Sequence, residues 1–192
     1  NETRRIFDYN ANLGGPFIRN RLWFFASTRA WGLRRYAAGA FFPDGSRATD
    51  DTDYKSVSLR LTTQFSQETK LMIYMVRMPR RSLYHRFVSP VVTPAATSRH
   101  TTPIVHSAQA KWTSTASDRL LLEAGYSSTY ARSKIWPQPE AAADINAVRK
   151  QNFALGTVDE SFGFKLDLYQ GKWNYVGSAS YVTGFHALKA GT

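Results

Sequence analysis

Gly14–Trp31, GGPFIRNRLWFFASTRAW, is the stretch on which the fold turns: a glycine-proline corner and a short basic turn lead directly into an aromatic-rich run. From Leu22 the even positions read Leu22, Phe24, Ala26, Thr28 and Ala30, while the odd positions pass through Ser27 and Arg29. A period of two puts apolar groups on one side of an extended chain, which a helix does not do. Trp23, Phe24 and Phe25 follow the turn residues Arg19–Arg21, the place where a membrane-spanning barrel sets an interfacial aromatic girdle. The plainer reading of this segment alone is an edge strand of a soluble sheet.

Working outward, the same alternation returns. Tyr54–Phe65 carries Val57, Leu59, Leu61, Thr63 and Phe65 on one side and Ser56, Ser58, Arg60, Thr62 and Gln64 on the other. Ser66–Thr69 forms a short turn into Lys70–Met78. In Ile104–Thr115, Ala108, Ala110 and Trp112 alternate with Gln109 and Lys111, and beyond a tight turn at Ala116–Asp118 the run Arg119–Tyr130 alternates Leu120, Leu122, Ala124 and Tyr126 with Glu123 and Gly125. A last hairpin runs Lys172–Val182, turns near Thr183–His186 and restarts at Ala187. At the start, Ile6–Leu13 reads as a strand ended by Gly14, Gly15 and Pro16, which break a ladder. Three long connections are expected between these hairpins, Ala37–Asp53, Pro79–Thr102 and Trp136–Gln170; the last holds the one expected helix, Pro139–Lys150, with proline and an acid in its first turn. The acids Asp50, Asp51 and Asp53 read as solvated loop residues, since a calcium loop needs a longer spaced set of oxygens.

Bulk properties narrow the class. The chain has 192 residues, a net charge of +11, no cysteine and 14% aromatic residues, with a mean hydropathy of -0.39. No stretch approaches the roughly 20 apolar residues of a spanning helix, whereas barrel strands hide their lipid side in alternation and stay low in hydropathy. Without cysteine, disulfides and thiolate metal sites are excluded. The basic residues fall in pairs near strand ends, Arg4 and Arg5, Arg34 and Arg35, Arg80 and Arg81, Arg149 and Lys150, as side chains snorkelling at a membrane rim would. Starting at Asn1 and stopping at LKAGT, the chain is expected to be a piece of a longer protein.

The fold expected is therefore all-β, an antiparallel transmembrane barrel segment of about eight strands, with short turns on the periplasmic side and long loops outside, and with residues 1–192 as one part of a barrel. Candidate lumen-facing residues are Ser56, Ser58, Arg60, Thr62, Gln64, Gln109, Lys111 and Glu123. Candidate lipid-facing or girdle residues are Trp23, Phe24, Leu59, Leu61, Trp112, Leu120, Leu122 and Tyr126. The loop aromatics Phe41, Phe42, Tyr84 and Phe87 are candidates for contact with an external ligand, beside the plainer role of packing their own loops. The histidines, His85, His100, His106 and His186, show no ligand spacing, and no nucleophile elbow, phosphate loop or dinucleotide motif is present, so no enzyme, metal or cofactor is expected.

The phrases themselves carry a resemblance. NANLGGPFIRNRLWFFASTR (Asn10–Arg29) resembles the segment that opens the barrel of TonB-dependent outer-membrane receptors, in particular the large Oar-like subgroup with a carboxypeptidase-regulatory-like module. DYKSVSLRLTTQFSQETKLMIYMV (Asp53–Val76), SDRLLLEAGYS (Ser117–Ser127) and SASYVTGFHALKAGT (Ser178–Thr192) resemble later hairpins of that subgroup in the same order. The resemblance implies a barrel of about 22 strands filled by a plug, a bacterial outer membrane with its lipid and lipopolysaccharide, a TonB-type energy-coupling protein as partner, and uptake of a scarce small solute such as a siderophore, oligosaccharide or peptide. No TonB box or plug is visible in the sequence. No nucleic-acid partner is expected on this reading. The alternative is a soluble, basic all-β module binding nucleic acid or another polyanion, in which lysines and arginines share a face with stacking aromatics.

Overall fold

The computed structural model describes residues 2–85 and 88–192, His85 by its backbone alone. Among them are eleven strands: β1 Glu2–Ile18, β2 Leu22–Phe41, β3 Arg47–Gln64, β4 Thr69–Arg77, β5 Arg80–His85, β6 Ser98–Ser117, β7 Leu120–Pro137, β8 Lys150–Asn152, β9 Thr157–Asp159, β10 Leu166–Thr183 and β11 His186–Gly191. Nine form one sheet, in the order β1-β2-β3-β4-β6-β7-β10-β11 with β5 between β3 and β6; β8 and β9 make a separate hairpin. Every pairing between these strands is antiparallel. In this order β1 and β11 are the edges, and the sheet is open.

Several expected boundaries move, each for a local reason. β1 does not stop at Gly14–Pro16 but runs to Ile18, since Pro16 sits in an edge strand where a missing N–H costs no ladder bond. Gly14 faces Phe25, whose ring lies 2.9 Å from where a Cβ would stand, so the aromatic covers the gap. The expected loop Ala37–Asp53 is instead strand on both sides of a tight turn. Phe42 N–H donates to Ser46 O (2.8 Å), the Asp44 carboxylate accepts from the Ser46 N–H (2.9 Å) and hydroxyl (2.7 Å), and Gly45 supplies the left-handed residue at φ 81°. The acids expected there to be solvated are strand residues in ion pairs: Arg35–Asp50 at 2.6 Å, Arg4–Asp51 at 2.8 Å and Arg34–Asp53 at 3.6 Å.

Pro79–Thr102 likewise starts as strand. β5 continues the line of β4 past a kink at Met78 and Pro79, where Met78 N–H reaches Val105 O and Lys55 N–H reaches Pro79 O, so both neighbouring ladders persist. Among the described residues of this segment, 88 to 97 lie outside the strands, with one 3-10 turn at Pro94–Ala96. The 138–165 connection is long as expected, but its helix spans only Pro139–Ala143, ending where Asp144 turns extended and its carboxylate takes the Asn146 N–H.

Because facing residues in an antiparallel ladder point to the same side, the registers fix two faces across the sheet. One row reads Gly15, Phe24, Leu61, Ile73, Ala110, Tyr126, Tyr175; the next reads Leu13, Ala26, Leu59, Met75, Ala108, Ser128, Trp173. No charge interrupts either row. Side chains of these rows stand open, with Leu13 67%, Met75 55% and Tyr175 72% exposed. Rows on the opposite face read Gly14, Phe25, Arg60, Tyr74, Gln109, Ser127, Asn174 and Pro16, Trp23, Thr62, Met72, Lys111, Gly125, Val176.

The apolar residues that are buried are small, Ala37, Ala40, Ala48, Ala96, Ala141 and Val158, and all lie toward one end of the sheet. There the loops lock together. Thr93 Oγ1 donates to the Asp159 carboxylate (2.7 Å), Val158 N–H to Val91 O (2.8 Å), and the fully buried Gln138 amide to Thr97 Oγ1 (3.0 Å). The total accessible surface is 12820 Å², against about 9,200 Å² for a compact soluble monomer of 21.7 kDa. Among the described residues no helix is long and apolar enough to cross a membrane, which says nothing of strands.

Candidate functional site: the polar face of the sheet

The eight polar candidates, Ser56, Ser58, Arg60, Thr62, Gln64, Gln109, Lys111 and Glu123, come together on one face. Phe24, Leu59, Leu61, Trp112, Leu120, Leu122 and Tyr126 share the other. Trp23 does not join them. It pairs across the ladder with Pro16 and Thr62, which places it on the polar side. Strand parity makes this unavoidable, since neighbours 23 and 24 point oppositely, and the aromatic cluster Trp23–Phe25 is split two to one.

The polar face is held by side-chain contacts between strands. Arg29 binds Asp8 with two N–H groups, the Ser27 and Ser58 hydroxyls meet at 2.8 Å, and the Asn174 amide donates to Ser127 Oγ (3.1 Å). Toward the β11 edge, Lys111 Nζ lies 2.8 Å and Lys189 Nζ 3.6 Å from the two oxygens of Glu123. These residues line a hollow of about 620 Å³ together with Gln109, Asn174, Met72 and Val176. Gly125 leaves its floor open: a Cβ there would stand 2.7 Å from Val176 Cγ2. Lys189, Asn174, Ser178, Arg29 and Asp8 were not among the sequence candidates, although Lys189 alternates with Leu188 and Ala190, and Ser178 with Ala179, in the same period of two.

Higher on this face a second arrangement bears on the polyanion alternative. Trp31 and Tyr54 stack at 5.1 Å and 6° between planes; Arg29 lies over Trp31 (4.8 Å) and Arg80 over Tyr54 (5.5 Å). Arg60 shares the face too, 5.7 Å from the Tyr74 ring. Cations and aromatics thus share this part of the polar face, while Arg60 and Lys111 lie opposite the uncharged rows. The ring faces of the Trp31–Tyr54 pair are, however, already covered by one another and by guanidinium groups.

At the end where the loops gather, two of the aromatics expected in loops pack on each other, Phe42 against Tyr84 edge-on at 5.0 Å, although Tyr84 lies in β5 and Phe41 ends β2, because the strands run on past the expected loop boundaries. Tyr84 donates to Glu140 Oε1 (3.1 Å). Burial, with the Glu140 charge beside it, pushes the Tyr84 hydroxyl up to about 12. Asp51 is also raised, by burial, against the opposing pull of Arg4 and Arg34. Phe41 is exposed, and Phe87 and the His85 side chain lie outside the described residues. His106 stacks on Tyr130 at 5.5 Å. Among the described residues, no three histidines or acids stand together as a metal group. No protein-family model, no curated protein and no solved structure matches the chain.

Proposed function

We propose that this chain is a stretch of barrel wall from a TonB-dependent outer-membrane receptor, its apolar face toward lipid and lipopolysaccharide and its polar face toward the lumen, a plug and a passing solute. The observation that carries the reading is the pair of uncharged rows that cross seven strands and remain exposed. A soluble monomer rarely leaves an apolar patch larger than a few hundred Å² open to water, and here the excess surface over a compact monomer is roughly 3,600 Å². Lipid removes that difficulty.

The extent of the rows supports it as well. On β7 the uncharged run reaches from Leu120 to Tyr130 before Arg132 and Lys134 appear on the same face, the length of the nine to eleven or so residues that a tilted strand uses to cross a bilayer. Aromatics gather toward its borders, Phe17 beside the β1–β2 turn and Tyr130, Tyr169 and Trp173 at the other limit, as an interfacial girdle would. The family name, the coupling protein and the solute come from the sequence resemblance.

The polyanion reading is favoured by the shared face of Arg29, Trp31, Tyr54 and Arg80 and by the charge of +11. A bound base needs an open ring face, and the ion pairs to Asp8, Asp50, Asp51, Asp53 and Asp167 already engage many of the guanidinium groups. Depth quenching decides between the two. With labels placed singly on the full-length protein refolded in lipid, Leu59, Leu61 and Met75 should be quenched from the acyl chains, and Arg60 and Gln109 from water. Equal water access at Leu61 and Arg60 refutes the barrel wall.

A further inference from the structure

The polar face carries more cations than acids. Within the stretch that backs the uncharged rows stand Arg29, Arg60, Lys70, Lys111, Lys172 and Lys189, against Asp8 and Glu123. Asp8 is taken up by Arg29. Glu123 is shared by Lys111 and Lys189, so that cluster is left with one positive charge in excess. Each ammonium has three donors, and both lysine side chains remain more than half exposed, at 56% and 64%, while Glu123 is at 25%. The glutamate is tucked under two lysines whose remaining N–H groups are open to the hollow.

Beside the charges, the hollow offers neutral donors on Gln109 and Asn174 and an apolar side formed by Met72 and Val176. A volume of about 620 Å³ lies within the usual 300 to 1,000 Å³ or so of small-molecule sites. We infer that this hollow is a site for a small organic anion, a carboxylate-bearing solute whose acid group bridges Lys111 and Lys189 while its carbon skeleton lies against Met72 and Val176. The inference rests on the barrel-wall reading, because it takes the polar face as the path of the solute.

Glu123 distinguishes a site from a mere structural cluster. As an internal carboxylate it occupies both lysines in the empty state and competes with the incoming acid group. Removing its charge therefore strengthens the ligand, whereas in a purely structural cluster the loss of any member weakens everything alike.

The experiment is calorimetric titration of the full-length protein in detergent with citrate, and with glucose as the uncharged control. Citrate binds and glucose does not. Lys111→Gln and Lys189→Gln each weaken citrate about tenfold or more, the worth of one charge-assisted contact. Glu123→Gln tightens it, and Lys172→Gln, on the same face but outside the hollow, leaves it unchanged. Absence of citrate binding, equal affinity in all four variants, or a Glu123→Gln loss equal to that of the lysine variants overturns the site. Heat-modifiable migration and envelope fractionation are read in parallel. A folded barrel without lysine-dependent binding sinks the site alone; lysine-dependent binding by a protein that neither fractionates with the envelope nor shows heat modifiability sinks the barrel reading alone.

Discussion

Leu61→Arg is the substitution on which the two faces part most sharply. Leu61 lies in the uncharged row between Phe24 and Ile73, four positions from Phe65 at the β3–β4 turn and six from Lys55, where charge returns to that face on β3 itself, Arg77 of β4 already standing opposite Val57. At about 3.3 Å per residue and a tilt near 40°, those steps put it roughly 10 Å above one rim and 15 Å below the other, close to the middle of an apolar band about 25 Å tall. A cation there costs about 2 to 4 kcal/mol, which is roughly thirty- to seven-hundred-fold in the folding equilibrium. Leu122 shares the face but is only two positions from Leu120, which opens β7 beside the tight turn, so Leu122→Arg sits near the rim and costs about 0 to 1 kcal/mol. Gln64→Arg, on the polar face, costs nothing measurable in this respect. The assay is reversible urea unfolding of the refolded full-length protein in lipid vesicles, with heat-modifiable migration as the check for insertion. The ranking Leu61 far above Leu122 and Gln64 is expected. Equal cost at Leu61 and Gln64 would refute the assignment of faces.

Two further outcomes follow from the outer end and from sidedness. The Tyr84 hydroxyl is raised to about 12 from an ordinary 10.0, so its bond to Glu140 favours the native state fully below pH 10 and is lost as pH rises through about 12; a late-titrating tyrosinate absorbance should vanish in Tyr84→Phe and move to lower pH in Glu140→Gln, and a wild type whose tyrosines all ionise together would refute the contact. Trypsin added to intact cells should cut after Arg149 or Lys150 and spare Arg19 and Arg21, because each antiparallel crossing reverses the end and puts the 138–165 connection opposite the turns near 19, 67, 118 and 185; cleavage only at Arg19 or Arg21 would invert the topology.

Strand identity and facing were legible in the sequence wherever one side of the strand was apolar and the other polar. Leu59 and Leu61 against Ser58 and Arg60 could be assigned without knowing a single partner, because the period of two leaves no other way to separate them. The strand ends were not legible, for the opposite reason. Beyond Ala30 and Lys55 alternation disappears: β2 mixes Arg34 and Arg35 with Leu33, Tyr36 and small alanines, β3 becomes polar on both faces, and the acids near Asp50 resemble a loop. What keeps those residues extended is cross-strand pairing: Arg35 opposite Asp50 and Arg34 opposite Asp51, contacts between residues that are distant in the chain. Local composition carries no trace of them. Pro16 and Pro79 misled similarly, since a proline signals a break only if its N–H was needed, and at an edge or a kink it is not.

The site was half legible for a related reason. Alternation assigns a residue to a face but not to a neighbour, so Lys111 and Glu123 were found as members of the polar side while the hollow they share with Lys189 was not. Its three charged members come from β6, β7 and β11, and β11 joins only through the register of β10, where Ser178 stands opposite Glu123 on one side and Gly191 on the other. A slip of one residue in that register would turn Lys189 to the apolar face and bring Leu188 inward. The charge excess of the hollow is thus as firmly tied to the pairing of the last hairpin as the apolar character of the opposite face is, since Leu188 opposite Tyr181 and Lys189 opposite Ser180 are fixed by the same ladder bonds. On the proposed barrel-wall reading, a solute on the polar side would meet those lysines because the same register turns Leu188 toward lipid.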